Sequence, residues 1–412
     1  MKFTRLAIAP LAPELLRTAG ARGGYLVESP DVLRVGLGPV VTTFALATGL
    51  AETDGVEEWL QSHDVGGDEG PAGSGVVAFA SIPFDRTSPA ELAVCALAVT
   101  QTTDGRAWLT YADVSPGLFD ILDDVTLPFQ ETQLASSLTR QPSGEEYAHS
   151  VAVAVDHLRR GDMSKIVLAR SVHGKVDDPI DPAAVAHRLR RREPSCAIYA
   201  MPLPDGRRFV GASPELLVAR DGDAVRCHPL AGTIALPPNV APDDYEKWLL
   251  GSGKNLHEHR LLVHDLSATL ASFYATVDAP EVPSIVPLRT VAHLGTWINA
   301  SEPRTAAPSA LCLLSHIHPT AAVGGLPRET ALPLLRQLEG LDRGHYAGPV
   351  GWMDANGDGE WWIGIRGVFL QGTSFEAWAG AGIVSESDPV AEREETRDKL
   401  ASVLAAVVVD RL

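Results

Sequence analysis

With 412 residues, 45% hydrophobic and 21% charged, the chain has the composition of a globular protein with a large core and is neither disordered nor fibrous. Its formal net charge of −18, with no block of five or more Lys or Arg, argues against nonspecific binding to nucleic acid or to anionic membranes. No apolar run reaches the roughly 18 residues that a membrane-spanning helix needs, and Cys95, Cys196, Cys227 and Cys312 stand too far apart for zinc pairs, so a cytoplasmic protein with buried thiols is expected.

At the N-terminus, Lys2 and Arg5 precede an apolar stretch that Pro10, Pro13 and Glu14 interrupt, against the pattern of a signal peptide. Residues 1–140 carry turn signals at Gly20, Gly23-Gly24 and Pro30, and strand-like runs at Val76–Ala80 and Ala107–Tyr111. The glycine-rich run Gly70–Gly75 lacks the Lys-Ser/Thr that completes a phosphate-binding loop, and a flexible loop is expected there. Pro142–Glu145 reads as a linker into a helix whose apolar face carries Tyr147, Val151, Val155 and Leu158 and which Gly161 ends.

Lys165 then opens the run Lys165–Arg170, an amine at the head of an apolar strand with β-branched Ile166 and Val167. Such an amine either snorkels to water or loses proton affinity until it can act as a base. A helix over Pro182–Arg192 and a strand over Ala197–Met201 follow. Arg208–Gly211 and Glu215–Arg220 are predicted to form a hairpin about Ser213-Pro214, with a further strand at Ala224–Pro229. Glu215 is thereby a charge inside an apolar strand, a candidate acid to match the candidate base Lys165.

The longest predicted helix covers Asp243–Tyr274, with Leu256, Leu262, Val263, Leu266, Leu270 and Phe273 on one side. Tyr346–Met353 and Glu360–Leu370 are predicted to pair as strands. The segment Asp354–Glu360 between them resembles the start of a calcium loop, but its twelfth position is Ile365 and its flanks are strand-like, so a hairpin turn is expected. A strand over Phe375–Ile383 and a helix over Val390–Val408 complete the order. Helices mixed with antiparallel hairpins favour the α+β class over a doubly wound nucleotide fold.

Glu258 on the long helix, with Glu392 and Glu395 three apart on one face of the last helix, makes a carboxylate set. Carboxylates without cysteines or paired histidines suit a hard cation, Mg2+ rather than zinc. The plainer reading is three solvated surface glutamates. His257 and His259 do not complete a zinc motif, because position 261 is Leu261. The small-residue runs Leu230–Thr233 and Ala379–Ile383 let backbone N–H groups approach an anion. Arg366, in a predicted buried strand, and Lys399, one helical turn beyond Glu395, can bind carboxylates or serve as structural salt bridges.

Taken together, KIVLARS (165–171), GASPELL (211–217), HPLAGT (228–233), the EH pair (258–259), HLGTWI (293–298), HIHPTAAVGGLP (316–327), YAGPVGW (346–352), WIGIRG (362–367) and AGAGIVSESDP with its E-x-x-E-T (379–396) resemble the chorismate-utilising enzymes, and within them the isochorismate synthases. The resemblance implies an α+β fold of two packed, antiparallel-rich β-sheet layers with helices outside and the active site between. It divides the chain into a variable N-terminal part, 1–140, and a chorismate-binding catalytic part, 141–412. It implies Mg2+ on the C1 carboxylate of chorismate, with Glu258, Glu392 and Glu395 as metal ligands. Tyr346, Arg366 and Lys399 match positions that contact substrate carboxylates. Gly232, Thr233, His318, Thr320, Ala379, Gly380 and Gly382 join them in the substrate-binding set, and Lys165 and Glu215 match the catalytic pair. Relatives that use ammonia lack the lysine at the place of Lys165, and aminodeoxychorismate synthases carry a nucleophilic lysine where this chain has Ala231, so water is the implied nucleophile. His318-Pro319-Thr320 resembles the isochorismate-forming group rather than the salicylate synthases. Asn255 departs from relatives that carry an acidic residue there.

The implied activity is the reversible, Mg2+-dependent conversion of chorismate to isochorismate by water addition at C2 with loss of the C4 hydroxyl. Lys165 would take a proton from the water and Glu215 would give one to the leaving hydroxyl. Bringing a lysine from ~10.4 to ~7.5 corresponds to about 4 kcal/mol of desolvation or neighbouring charge. Salicylate synthase, or a catalytically silent metal-binding subunit of the same fold, are the alternatives, and the product could serve menaquinone or siderophore synthesis. A monomer is expected, with chorismate as its small-molecule partner and neither nucleic acid nor membrane.

Overall fold

The computed structural model describes residues 1–51, 54–63, 67–113, 117–128, 130–236 and 242–409. Nineteen strands link into one curled antiparallel sheet, with a three-stranded and a two-stranded sheet beside it. A sheet of this width cannot stay flat, because each strand adds right-handed twist. Two apolar cores fill its faces. Helices Gly144–Arg159, Gly253–Ala271, Ala310–Ile317 and Arg328–Glu339 bury Val151, Leu266, Leu314 and Leu335 in one. Helices Pro13–Gly23, Pro182–Arg192 and Pro389–Leu404 bury Leu16, Leu189 and Val403 in the other. No helix among the described residues is long and apolar enough to cross a membrane.

N-terminal strands are woven into the sheet. Tyr25–Glu28 pairs with Ala197–Pro202, and Val77–Ser81 pairs with Pro349–Asp354. The expected open loop at Gly70–Gly75 is instead anchored: Gly73 N–H donates to Asp354 Oδ2 at 2.8 Å, and Arg34 Nη2 donates to the Ala72 carbonyl at 2.7 Å. Cys95, Cys196 and Cys227 are buried thiols, each pushed up to about 12 by burial.

The Lys165–Lys175 strand is buried from Lys165 to Val172 and pairs with Ser374–Ile383 along its length. Both of its faces are covered, which is why its sequence runs apolar without alternation. The helix before it begins at Ser143, whose side chain and Glu146 cap each other.

Three elements differ from expectation. The helix predicted over Asp243–Tyr274 is two helices, Pro242–Gly251 and Gly253–Ala271, followed by a strand at Tyr274–Asp278. Gly251-Ser252-Gly253 breaks it: the Ser252 hydroxyl accepts from Asn255 N–H at 3.3 Å and starts a new helix. The last helix ends at Leu404, short of the predicted Val408.

The third difference shapes the site. Arg208–Ser213 and Leu216–Asp221 are not a hairpin: the first pairs with Gly367–Gln371 and the second with Gly359–Ile363. Pro214 has no N–H to give a ladder, so the strand is interrupted without reversing. The segment it pairs with, predicted as one strand over Glu360–Leu370, is interrupted opposite, from Gly364 to Arg366. Two bonds hold the gap: Ile363 N–H to the Glu215 carbonyl and Ala212 N–H to the Arg366 carbonyl, each 3.1 Å.

Candidate active site

Glu215 and Arg366 occupy the two facing interruptions, so neither lies within a strand, and both border one cleft. Arg366 has φ 51°, a left-handed backbone that costs a non-glycine residue energy and turns its side chain out of the strand direction. Its guanidinium is buried and its two side-chain partners are neutral: Ser402 Oγ at 3.3 Å and His293 Nε2 at 3.1 Å. Glu193 offsets its charge at longer range, and hydrogen bonds to neutral groups alone leave it suited to take an anion at the edge of the cleft. Glu215 is 4% exposed. Burial pushes its carboxyl up to about 8, against the opposing Leu230 backbone contact and the charges of Lys165 and Lys399. Near neutral pH it therefore carries a proton that it can donate.

Lys165 is fully buried, and its Nζ lies 3.0 Å from Glu258 Oε1 at an angle too oblique for a hydrogen bond. Glu258 borders the cleft and Lys165 stands directly behind it. Burial opposes ionisation of Glu258, but the ammonium groups of Lys165, Lys254 and Lys399 together hold its carboxyl below the usual range. Two similar pairs involve carboxylates of the last helix. Glu392 pairs with Lys254, and Glu395 Oε1 accepts from Lys399 Nζ at 2.6 Å. Burial and the charge of Glu395 raise Glu392 to about 7, against Lys254. Lys399 also donates to the Gly380 carbonyl at 3.0 Å and borders the cleft.

The rest of the wall comes from separate segments. Thr233 follows a bulge at Gly232, whose φ of 75° and missing Cβ let the strand lie against Asn255 of the neighbouring helix. Tyr346 borders the cleft and stacks on Trp378, ring centroids 5.4 Å apart, while Ala379, Gly380 and Gly382 line it from the long strand. His318 and Thr320 do not border it. His318 Nε2 donates to the Phe84 carbonyl at 2.9 Å, and Thr320 Oγ1 accepts from Ala322 N–H. They anchor a segment whose Ala322 and Val323 do form wall. Gly232, Glu392 and Glu395 also stand outside the lining. His293, Arg343 and Trp378 line the cleft without having been singled out from sequence. The signals for His293 were its place between apolar Ala292 and Leu294 and its position at the head of HLGTWI.

Residues 90–408 match the family described as chorismate binding enzyme. The chain belongs to that family. The vibriobactin-specific isochorismate synthase of Vibrio cholerae is 30% identical over 414 residues, covering 100% of this chain and 98% of that protein. The isochorismate synthase MenF of Bacillus subtilis is 31% identical over 340 residues, covering 80% of this chain and 72% of that protein. The solved structure of MenF, the menaquinone-specific isochorismate synthase from Escherichia coli, has a TM-score of 0.80 at 26% identity, covering 98% of this chain and 94% of that one. The molecule is thus a chorismate-binding enzyme of the isochorismate-synthase type, and its curled α+β fold is the one those enzymes share.

Mg2+, which the family implies, finds compatible chemistry here. Among the described residues no three acidic, His or Cys side chains are gathered as a metal cage. Mg2+ does not need one, because it keeps waters and takes one or two carboxylates. A Cβ at Gly382 would stand 2.0 Å from Glu258 Oε1, so glycine at this position is what lets that carboxylate lie against the strand at the edge of the cleft. Glu258, with Glu395 and Glu392 behind it, is the hard-oxygen set that would hold the ion.

Proposed function

We propose that the chain converts chorismate to isochorismate, with Lys165 as base, Glu215 as acid and Mg2+ as cofactor. The observation that carries this reading is the buried, proton-bearing Glu215 in a cleft that Glu258 also borders, with Lys165 held at Glu258. A raised carboxyl and a lysine at one site suit acid and base roles. Arg366 and Lys399 suit the carboxylates of a dianionic substrate, with Tyr346 and the Ala379–Gly382 backbone beside them. Held at Glu258, Mg2+ would supply positive charge to a substrate carboxylate and take over the carboxylate now facing Lys165. The amine reaches a cleft water only when Glu258 gives way. Parted from Glu258, Lys165 must first release its own proton to solvent; the neutral amine then accepts a proton from that water as it adds at C2, while the Glu215 carboxyl protonates the departing C4 hydroxyl. The Ala231 methyl, in place of a nucleophilic amine, leaves water as the nucleophile.

Purified protein mixed with chorismate and Mg2+ is expected to yield isochorismate, identified by chromatography and mass spectrometry. Accumulation of fluorescent salicylate would replace this reading with salicylate synthase, and unchanged chorismate would end it in favour of a silent binding subunit.

Gly382→Ala is a sharp probe of the same reading. The new methyl would meet Glu258 Oε1 at 2.0 Å and Lys165 Cε at 3.0 Å. The pair must part, and turnover is expected to fall on the order of 10²-fold, as misplacement of about 1 Å does. Circular dichroism should remain that of the parent. Turnover near the parent's would show that the Lys165–Glu258 contact has no part in the reaction.

A further inference from the structure

Arg366, His293 and Thr233 form a chain of contacts along one wall of the cleft. His293 Nε2 lies 3.1 Å from Arg366 Nη2, and His293 Nδ1 lies 3.0 Å from Thr233 Oγ1. A guanidinium has only donors, so Nε2 must accept. An imidazole that accepts at Nε2 carries its single proton on Nδ1, and that N–H donates to the Thr233 hydroxyl. The hydroxyl's own proton is then left to donate. His293 and Arg366 are buried, and all three residues border the cleft. Burial, with the charges of Arg366 and Lys399, holds the imidazole well below its ordinary proton affinity, as a neutral ring requires.

We propose that His293 is a positioning residue: locked as the Nδ1–H tautomer by Arg366, it tethers the guanidinium and turns the Thr233 hydroxyl into a donor. The wall then offers Arg366 N–H and Thr233 O–H as two donors bordering one cleft. That pattern selects a carboxylate and rejects an ammonium or an amide N–H, whose donors would go unpaired. The inference rests on the reading of Arg366 as a carboxylate receptor and goes beyond it, because it assigns the group that orients the receptor and a second donor bordering the same cleft.

The tautomer can be read without substrate. In 15N-histidine-labelled protein at pH 7, His293, assigned by the signal lost in His293→Gln or His293→Asn, is expected to show a protonated Nδ1 and a bare Nε2. A proton on Nε2, or on both nitrogens, overturns the relay. With chorismate, Thr233→Val is expected to raise KM about tenfold with kcat within about threefold, the loss of one hydrogen bond to a charged group. Thr233→Ser, which keeps the hydroxyl, should recover most of that affinity. His293→Gln, whose amide oxygen can accept from Arg366, should raise KM less than His293→Ala. An unchanged KM in Thr233→Val overturns the donor role. Failure to turn over chorismate would sink the proposed reaction and leave the tautomer result standing, whereas the wrong tautomer would sink the relay and leave the reaction standing.

Discussion

Glu215→Gln is expected to lower the rate of isochorismate formation by about 10²-fold or more while leaving KM for chorismate within a few-fold. The amide keeps the shape of the protonated carboxyl and loses the proton that the leaving hydroxyl needs, and general acid–base groups are worth about 10²–10⁴ in rate. The wild-type profile carries the matching signature. Burial raises Glu215 to about 8, so the donor is loaded below that pH and is lost as pH rises through about 8. The forward rate should therefore fall on the alkaline side of pH 8. Stability moves in the same direction. A carboxyl whose folded value lies above its ordinary 4.5 contributes stability that is present below 4.5 and lost as pH rises through about 8. Glu215→Gln should then unfold no earlier than wild type at pH 9, which separates lost chemistry from a lost fold. A variant with near-normal turnover, or a wild-type rate level through pH 9, would remove Glu215 from the acid role. Lys165→Ala should match the loss in rate, but it also strands the buried Glu258 charge, a change that costs about 3–5 kcal/mol when one partner of a buried pair is removed. Its thermal unfolding must be measured beside its rate.

Much of this arrangement was legible in the chain because local chemistry announced it. Lys165 heads an apolar run with β-branched neighbours, which leaves its amine either to snorkel or to be buried, and the structure buries it fully. The Pro182–Arg192 helix has its predicted bounds, set by Asp181 as N-cap and Pro182 in the first turn. What escaped was whatever depended on distant partners. Ser213-Pro214 reads equally well as a hairpin turn or as an interruption, and the choice is made by Gly359–Gln371, far along the chain, which pairs with both sides of the break. Arg366 looked like a strand residue because the rest of Trp362–Leu370 is apolar or glycine; its φ of 51° accompanies the matching gap at Pro214-Glu215. His293 meets Thr233 at a separation of 60 residues and Arg366 at 73, and no local pattern encodes such a triad. Ser252 was the opposite case: a cap between two glycines that the long apolar stripe concealed.

The second large effect is expected at Glu258. Lys165, Lys254 and Lys399 face Glu258, Glu392 and Glu395 one to one, and the charge of Glu193 acts on Arg366, so this part of the site is close to electrically balanced. Adding a divalent cation alone would leave the set strongly positive, and adding a dianion alone would leave it negative. Both together restore the starting balance, and in a low-dielectric cleft that difference is large. Mg2+ and chorismate should therefore each raise the other's affinity by the same factor, measurable by titration calorimetry of one with and without the other. Glu258→Gln removes the carboxylate nearest the cleft and is expected to weaken Mg2+ binding at saturating chorismate at least about tenfold, with turnover falling in parallel. Glu392→Gln should do less, because that carboxyl is already raised to about 7 and committed to Lys254. Wild-type turnover that persists in EDTA, or equal Mg2+ affinity in Glu258→Gln and wild type, would place the ion elsewhere or dispense with it. Independent binding of the two ligands would break the charge-balance argument even if the reaction itself stands.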